Sequence, residues 1–389
     1  MDLQAVLSAR KATRGNLVVT NLGDTRAYCD RPWYEVQVFA EGDVMCCCPP
    51  WVDHYALGNL LHEDFDDIWT GERVEAFRES MRDRSFRFCN EKSCPYLASR
   101  TVEGPIVTGE TPVSIPDLRE LTCNYDRSCN LGCPSCRRGI FVASGEMKTQ
   151  QETIHEKVMS QIVPRTRLLR VTGSGDAFGS PLFRNMLMNL RPEHAPKLKS
   201  IVLLTNGLLM TQCWPRLPDF VKSTTKSLLL SIDAATKATY EINRWPGKWE
   251  DLLDNLSYIR DLAARRKNLH VNASFVVQAN NWREMPAFVD LARRYGVHRI
   301  SFQMIEPDHV RDWGVDGFYE EWIGKAVHEP EHPDHAEFVE LLKDPRLRPT
   351  DVVVRLNNFT KLLHGGSLSQ AAKVRTEDRP VHFRQVSSE

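Results

Sequence analysis

From about residue 168 onward, short apolar runs alternate with longer stretches whose apolar residues recur every three or four positions. The short runs have strand length and end in polar or glycine-containing turns. The longer ones have the period of helices with one buried face. Strands are expected over residues 168–172, 201–205, 228–232, 271–277 and 300–304. Helices are expected over 249–264, with Leu252, Leu253, Leu256, Ile259 and Leu262 on one face, and over 285–295, with Phe288, Val289 and Ala292. Upstream, residues 118–125 read as a first strand, and Thr149 with Glu152 form a capping box opening a helix through Val158 and Ile162. Strands alternating with helices in this way build a parallel sheet. Six strand-helix units are too few for the usual closed barrel of eight, so the fold class expected is α/β, a partial (β/α)6 barrel or open wound sheet.

The first 110 residues follow another pattern. A strand over 34–39 leads into a turn at Glu41-Gly42-Asp43, a cysteine triplet and helices over 65–69 and 73–81. Pro105, Pro112 and Pro116 punctuate the exit between Ala98 and Pro116. The division expected is a small cysteine-rich module over 1–110, the barrel over 111–345 and a C-terminal extension packing on the barrel over 346–389.

Composition narrows the partners. In 389 residues, 42% are hydrophobic and 26% charged, which suits a folded chain with a large core. A net charge of -1 offers no dominant basic field for nucleic acid or an anionic membrane. The N-terminus has no signal-peptide run and no membrane-spanning stretch occurs, so a cytosolic location is expected. Ten of the eleven cysteines lie within the first 136 residues, and in a reducing compartment such clustering points to metal ligation rather than disulfides.

Cys129-Asn-Leu-Gly-Cys133-Pro-Ser-Cys136 places three thiols on a loop. Three thiolates can hold three irons of a cubane cluster and leave the fourth open to a ligand. The bland alternative is a structural zinc site with Cys123 as fourth ligand, although such sites usually offer paired, evenly short spacings. In the N-terminal module, Cys29, Cys47, Cys89 and Cys94 form a plausible four-thiolate set, the choice among Cys46, Cys47 and Cys48 being open; zinc suits a closed four-thiolate site equally well.

The three-cysteine motif after a first strand resembles the radical S-adenosylmethionine superfamily, and Ser128-Cys129-Asn130-Leu131-Gly132-Cys133 resembles members with auxiliary-cluster domains. Gly42 to Cys47, Leu57-Gly58-Asn59-Leu60, Ile68-Trp69, Phe77-Arg78 and Cys89 to Cys94 resemble the SPASM domain or its shortened twitch form, here placed before the barrel. That resemblance implies a [4Fe-4S] cluster on Cys129, Cys133 and Cys136 and one fully ligated auxiliary [4Fe-4S] cluster. It also implies S-adenosylmethionine as cosubstrate, cleaved after one injected electron to a 5'-deoxyadenosyl radical. Thr172, Gly173, Ser174, Gly175 and Asp176 occupy the place of the family's glycine-rich turn near the methionine amino group, and Asn206 and Ser231 that of ribose or carboxylate contacts. Ser135 stands where the family usually has an aromatic residue, which leaves the adenine contact unassigned.

Cys123 is a candidate hydrogen-atom donor, with a buried packing role as the plainer reading; Cys213 invites the same pair. Arg137 and Arg138 are candidates for stabilising the anionic cluster. His328, His332 and His335 are interrupted by Pro330 and Pro333 and read as surface residues, and Gln303, Glu306, Asp312 and Trp313 as a substrate rim, with solvated loop residues as the plainer reading. The activity expected is a radical oxidoreductase that dehydrogenates a sugar, aminocyclitol or similar small molecule. Its auxiliary cluster would take up the electron, and a ferredoxin or flavodoxin would serve as reductant. Alternatives are an epimerase, a peptide-modifying maturase, disfavoured because no leader-gripping module is evident, or a zinc-stabilised scaffold without activity.

Overall fold

The computed structural model describes residues 27–91, 94, 96–97, 104–113, 117–137, 139–305 and 324–366. Ala98, Pro116, Arg138, Glu306, Asp312, Trp313 and the last residues from 367 lie outside them. The chain divides into two compact units: Met1–Gly132, Gly139–Ser231 and Pro246–Asn272 form one, and Cys133–Arg138, Ile232–Trp245 and Ala273–Glu389 the other.

The first unit contains β1 (Ala27–Cys29), β2 (Glu35–Phe39), β3 (Asp43–Met45), β4 (Gly58–Asn59), β5 (Ile106–Thr108), β6 (Leu118–Asn124), β7 (Thr166–Val171), β8 (Ser200–Thr205) and β9 (Thr225–Ser231). Its main sheet has the order β9-β8-β7-β6-β2-β3-β4. Strands β6 to β9 are parallel, as the alternation predicts. Leu121, Cys123, Leu169, Val171, Ile201, Leu203, Leu228 and Leu230, alternate positions that share one face of the sheet, are all fully buried, while Glu120, Arg170 and Leu229 on the other face are half-buried. Each large apolar side chain among them contributes about 1.5–3 kcal/mol by leaving water.

Strand β2 pairs in parallel with β6, Val36 opposite Leu121 and Val38 opposite Cys123. The cysteine-bearing N-terminal segment therefore continues the main sheet, a pairing that no sequence period announces. Antiparallel β3 and β4 follow it, with Gly42 at φ +85° in the turn between β2 and β3. Strands β1 and β5 form a separate antiparallel ribbon. Phe77, inside the second of the helices Phe65–Thr70 and Glu72–Arg82, joins Tyr55 and Phe88 in an aromatic cluster with ring centroids 4.3 to 6.0 Å apart. Gln161 accepts from the Phe65 backbone N–H at 2.7 Å and Arg165 pairs with Asp66 at 2.7 Å, fastening this segment to the chain that follows β6.

Two expectations need correction. The helix after β6 begins at Gly145, not at a Thr149 cap, and runs to Lys157 before a π-helical turn over Val158–Ile162. Thr149 lies inside it, its hydroxyl donating to the Gly145 carbonyl one turn back. On the helix Trp249–Arg265, Leu253 is half-buried and Asn255 takes a buried place instead, its Oδ1 accepting from the Thr211 backbone N–H at 3.0 Å.

Strand β10 (His270–Val277) passes from the first unit into the second at Asn272, where that side chain donates to Ser227 of β9 at 2.8 Å. The second unit holds β11 (Arg299–Met304) and β12 (Val353–Arg355), paired in parallel, with the helices Lys237–Asn243, Met285–Arg294 and His335–Leu341. Strand β12 carries no sequence signal, being three residues long with partly exposed side chains. Among the described residues no helix is long and apolar enough to cross a membrane.

Candidate iron-sulfur and cosubstrate sites

Cys29, at the end of β1, lines one cavity together with Cys46, Cys47, Cys89 and Cys94. Cys46 and Cys47 follow β3 directly; Cys48 is not among the lining residues. Cys89 is set by a turn in which its N–H donates to the Phe86 carbonyl at 2.8 Å, and Cys94 by one donating to Asn90 at 2.8 Å. Phe86 and Arg84 both have positive φ, 45° and 59°, so this approach to Cys89 is strained backbone. All four anticipated cysteines come together here, with Cys46 as a fifth. Burial pushes the Cys47 thiol up to about 12 and the Cys29, Cys46 and Cys89 thiols up as well; Arg31 opposes this at Cys29, Cys46 and Cys47.

In the first unit Cys129 is buried and its backbone N–H donates to the Phe141 carbonyl at 2.9 Å, making an isolated antiparallel bridge. Asn206, just past β8, points its side-chain amide at the Cys129 sulfur, 3.9 Å away, and at Asn130 Oδ1, 2.9 Å away. In the second unit Cys133 and Cys136 share one tight turn, the Cys136 N–H donating to the Cys133 carbonyl at 2.8 Å. Arg244 lies 3.7 Å from the Cys133 sulfur and pairs with buried Asp233 at 2.6 Å, and Arg137 Nε lies 3.3 Å from the Cys136 sulfur. Burial raises the Cys133 thiol to about 11, against the pull of Arg244. Arg244 carries no sequence signal: it lies thirteen positions beyond Ser231, at the far end of a helix.

The turn after β7 is built as its glycines suggest. Thr172 has φ +61°, unusual for a β-branched residue, and its Oγ1 accepts from the Gly175 N–H at 2.8 Å. A Cβ on Gly173 would stand 2.7 Å from Asn124 Oδ1, and one on Gly175 2.5 Å from the Asp126 carbonyl. The Ser174 hydroxyl donates to the Asn124 carbonyl at 2.9 Å. Asp176 is buried and its carboxylate accepts from the backbone of Phe178, Gly179 and Asn206 at 2.9, 2.8 and 2.6 Å, so it binds this turn to the turn after β8. Ser231 closes β9, half-buried.

Cys123 is fully buried and pushed up to about 12 by burial; two residues on, the Tyr125 hydroxyl lies 2.9 Å from His155 Nδ1. Cys213 is buried, as packing requires. His328 is not a surface residue: it is buried against Phe359, and desolvation pushes it down to about 3. His332 and His335 bond to the Gly324 and Val327 carbonyls instead of converging with it.

The donor sets fit the groups implied. Among the described residues no three His, Cys, Asp or Glu side chains meet around a point for a single ion, as zinc at about 2.3 Å from each sulfur would need. Five thiols around one cavity instead suit a larger cubane body, with Cys29, Cys47, Cys89 and Cys94 available as its holders. For the cosubstrate, Asn124 Oδ1 is a buried acceptor beside Gly173 without a donor among the described residues, which suits an ammonium group.

Residues 29–95 match the model of the SPASM family, an iron-sulfur cluster-binding domain. No curated protein matches the chain significantly. Similar solved structures include a polyhistidine-tagged anSMEcpe with bound AdoMet, 20% identical over 65% of this chain and 68% of that one at TM-score 0.40. Streptococcus suis SuiB bound to S-adenosylmethionine is 14% identical over 65% and 54% at 0.41, and SuiB bound to precursor peptide SuiA 10% identical over 88% and 74% at 0.40. Likeness this loose carries no weight for activity. The chain thus carries a SPASM iron-sulfur cluster-binding domain over residues 29–95, and its Cys129, Cys133, Cys136 motif is similar to that of the radical S-adenosylmethionine enzymes.

Proposed function

We propose that this protein is a redox radical enzyme that oxidises a carbon of a peptide substrate, with the N-terminal cluster accepting the second electron. The observation that carries this reading is that one chain holds both a three-cysteine motif and a separate cavity lined by five cysteines. With Cys129, Cys133 and Cys136 as its holders, the motif cluster would leave one iron for S-adenosylmethionine and supply the one-electron cleavage to a 5'-deoxyadenosyl radical. Gly173 and Asn124 would receive the cosubstrate's amino group, and Asn206 and Ser231 would face the rest. Four cysteines on the auxiliary cluster would leave it no position for substrate, which suits electron uptake. The substrate loses one hydrogen atom to the radical, then a proton and an electron, a two-electron dehydrogenation overall.

A peptide, rather than the small polyhydroxylated molecule expected from sequence, suits the surface around Cys129. Ile140 and Val142 flank Phe141 on the segment paired with Cys129 and are 52% and 51% exposed, and Met147 is 46% exposed. A peptide can cover such side chains with its own; a sugar brings hydroxyls that they cannot bond. We place the chain in the cytosol, with a ferredoxin or flavodoxin as reductant.

The test is anaerobic reconstitution, iron and zinc counts, and turnover of candidate peptides followed by mass spectrometry in deuterated water. Loss of two hydrogens with 5'-deoxyadenosine formed supports the reading. Solvent deuterium in an unoxidised product overturns oxidation, and turnover of sugars but not peptides overturns the substrate class.

A further inference from the structure

We propose that Arg31 is a positioning residue for the auxiliary cluster, orienting it through a buried N–H and raising its reduction potential through its fixed charge. This rests on the reading that the N-terminal cavity holds a cluster. Arg31 lines that cavity with Cys29, Cys46, Cys47, Cys89 and Cys94. Its guanidinium carbon lies 5.5 Å from the Trp51 ring centroid and 5.6 Å from that of Tyr96, and the two rings meet edge to face at 5.9 Å. Two aromatic faces thus hold the side chain, which is 15% exposed.

Glu35 Oε2 lies 2.8 Å from Arg31 Nη1. That carboxylate is shared, because its other oxygen accepts from Arg119, and Arg119 is forked on Asp30 at 2.6 and 2.8 Å. Two arginines and two carboxylates balance before any cluster is counted. Arg31 Nε is buried and has no acceptor among the described residues. An unsatisfied buried donor costs about 1–3 kcal/mol, and here it stands in a cavity whose other walls are thiols and largely apolar side chains. A cluster sulfide or a thiolate is the acceptor that this donor lacks. Reduction adds a negative charge to the cluster, so a fixed cation beside it favours the reduced form and moves the potential upward. A higher potential is what an electron acceptor for a substrate radical requires.

The experiment uses the full chain with Cys129, Cys133 and Cys136 all changed to alanine, so that only the auxiliary cluster gives a signal. Iron, sulfide and zinc are counted, and the midpoint potential is read by an EPR-monitored redox titration. In this background Arg31→Gln is expected to keep about four irons. Its potential is expected to fall by about 59 mV or more, a tenfold loss in the one-electron reduction equilibrium. Arg31→Lys, which keeps the charge without the Nε donor, is expected to fall less. An unchanged potential in Arg31→Gln overturns the proposal. If Arg31→Gln does not retain iron, Arg31→Lys decides: a lowered potential supports the proposal and the parent value overturns it. Zinc in place of iron in the parent protein overturns the cluster reading and the proposal with it, whereas an iron-loaded parent with unresponsive variants overturns only the role of Arg31.

Discussion

The Asn206 side-chain amide lies 3.9 Å from the sulfur of Cys129, joining the turn after β8 to the first cysteine of the radical motif. Asn206→Ala removes that donor and the one to Asn130, while the Asp176 contact, made by the Asn206 backbone, stays. We expect the variant to fold and bind iron normally. Its S-adenosylmethionine cleavage should fall about tenfold, a loss of ~1.4 kcal/mol, as measured by 5'-deoxyadenosine release.

Asp176 should govern stability rather than chemistry. Its buried carboxylate accepts three backbone N–H groups, and Asp176→Ala orphans all of them. We expect a loss of about 3 kcal/mol or more, read as a lower denaturation midpoint in urea. A variant as stable as the parent would remove Asp176 from this structural role.

Gly175→Ala should be more harmful than its one added methyl suggests. The new Cβ would stand 2.5 Å from the Asp126 carbonyl and 2.8 Å from that of Ser128, both backbone atoms that cannot swing away. A cost of about 1–3 kcal/mol and weakened cosubstrate binding are expected together, checked by thermal unfolding and by titration with S-adenosylmethionine.

The two cysteine sets should separate in assay. Alanine at Cys29, Cys47, Cys89 and Cys94 should lower iron from about eight to about four per chain, keep 5'-deoxyadenosine formation and abolish the oxidised product. Alanine at Cys129, Cys133 and Cys136 should abolish both products.

His155 gives a pH signature. Burial lowers its folded-state pKa, so the folded protein holds it neutral where the unfolded chain has begun to take up a proton. Its contribution is fully present above the unfolded value near 6.5 and is lost as pH falls toward the lower folded value. In that window, stability should drop by up to about 1.4 kcal/mol per pH unit. His155→Gln should remove that part of the slope in urea denaturation measured from about pH 7.5 to 5.

The parallel core was legible because each strand concentrates apolar residues in a run of strand length: β6, β7, β8, β9, β10 and β11 all lie where the runs predict, within a few residues at each end. The cysteine sets were legible because ligation needs a residue type that rarely clusters otherwise. What sequence hid are contacts made by ordinary residues at long separation. Asn124 matters through a glycine about fifty positions away, Arg31 through a cavity closed by Cys94 and Tyr96, and Arg244 through Asp233 and Cys133. His328 reads as exposed because neighbouring prolines suggest a surface loop, while its burial depends on Phe359, thirty-one residues on.

The pairing of β2 with β6 bears on how this enzyme could be taken apart. A cluster module that precedes its partner in sequence looks like a cassette, ready to be cut off or grafted elsewhere. Here its strand supplies the hydrogen-bonding neighbour of β6, the strand that leads directly to Cys129, with Phe39 opposite Asn124 at the end of the ladder. Cutting the module away would leave β6 as a bare sheet edge, open to pairing with another chain, a few residues before the first cysteine of the motif. Removing the module would therefore also expose the frame that carries Cys129, and a truncated protein should aggregate rather than survive as a simpler form.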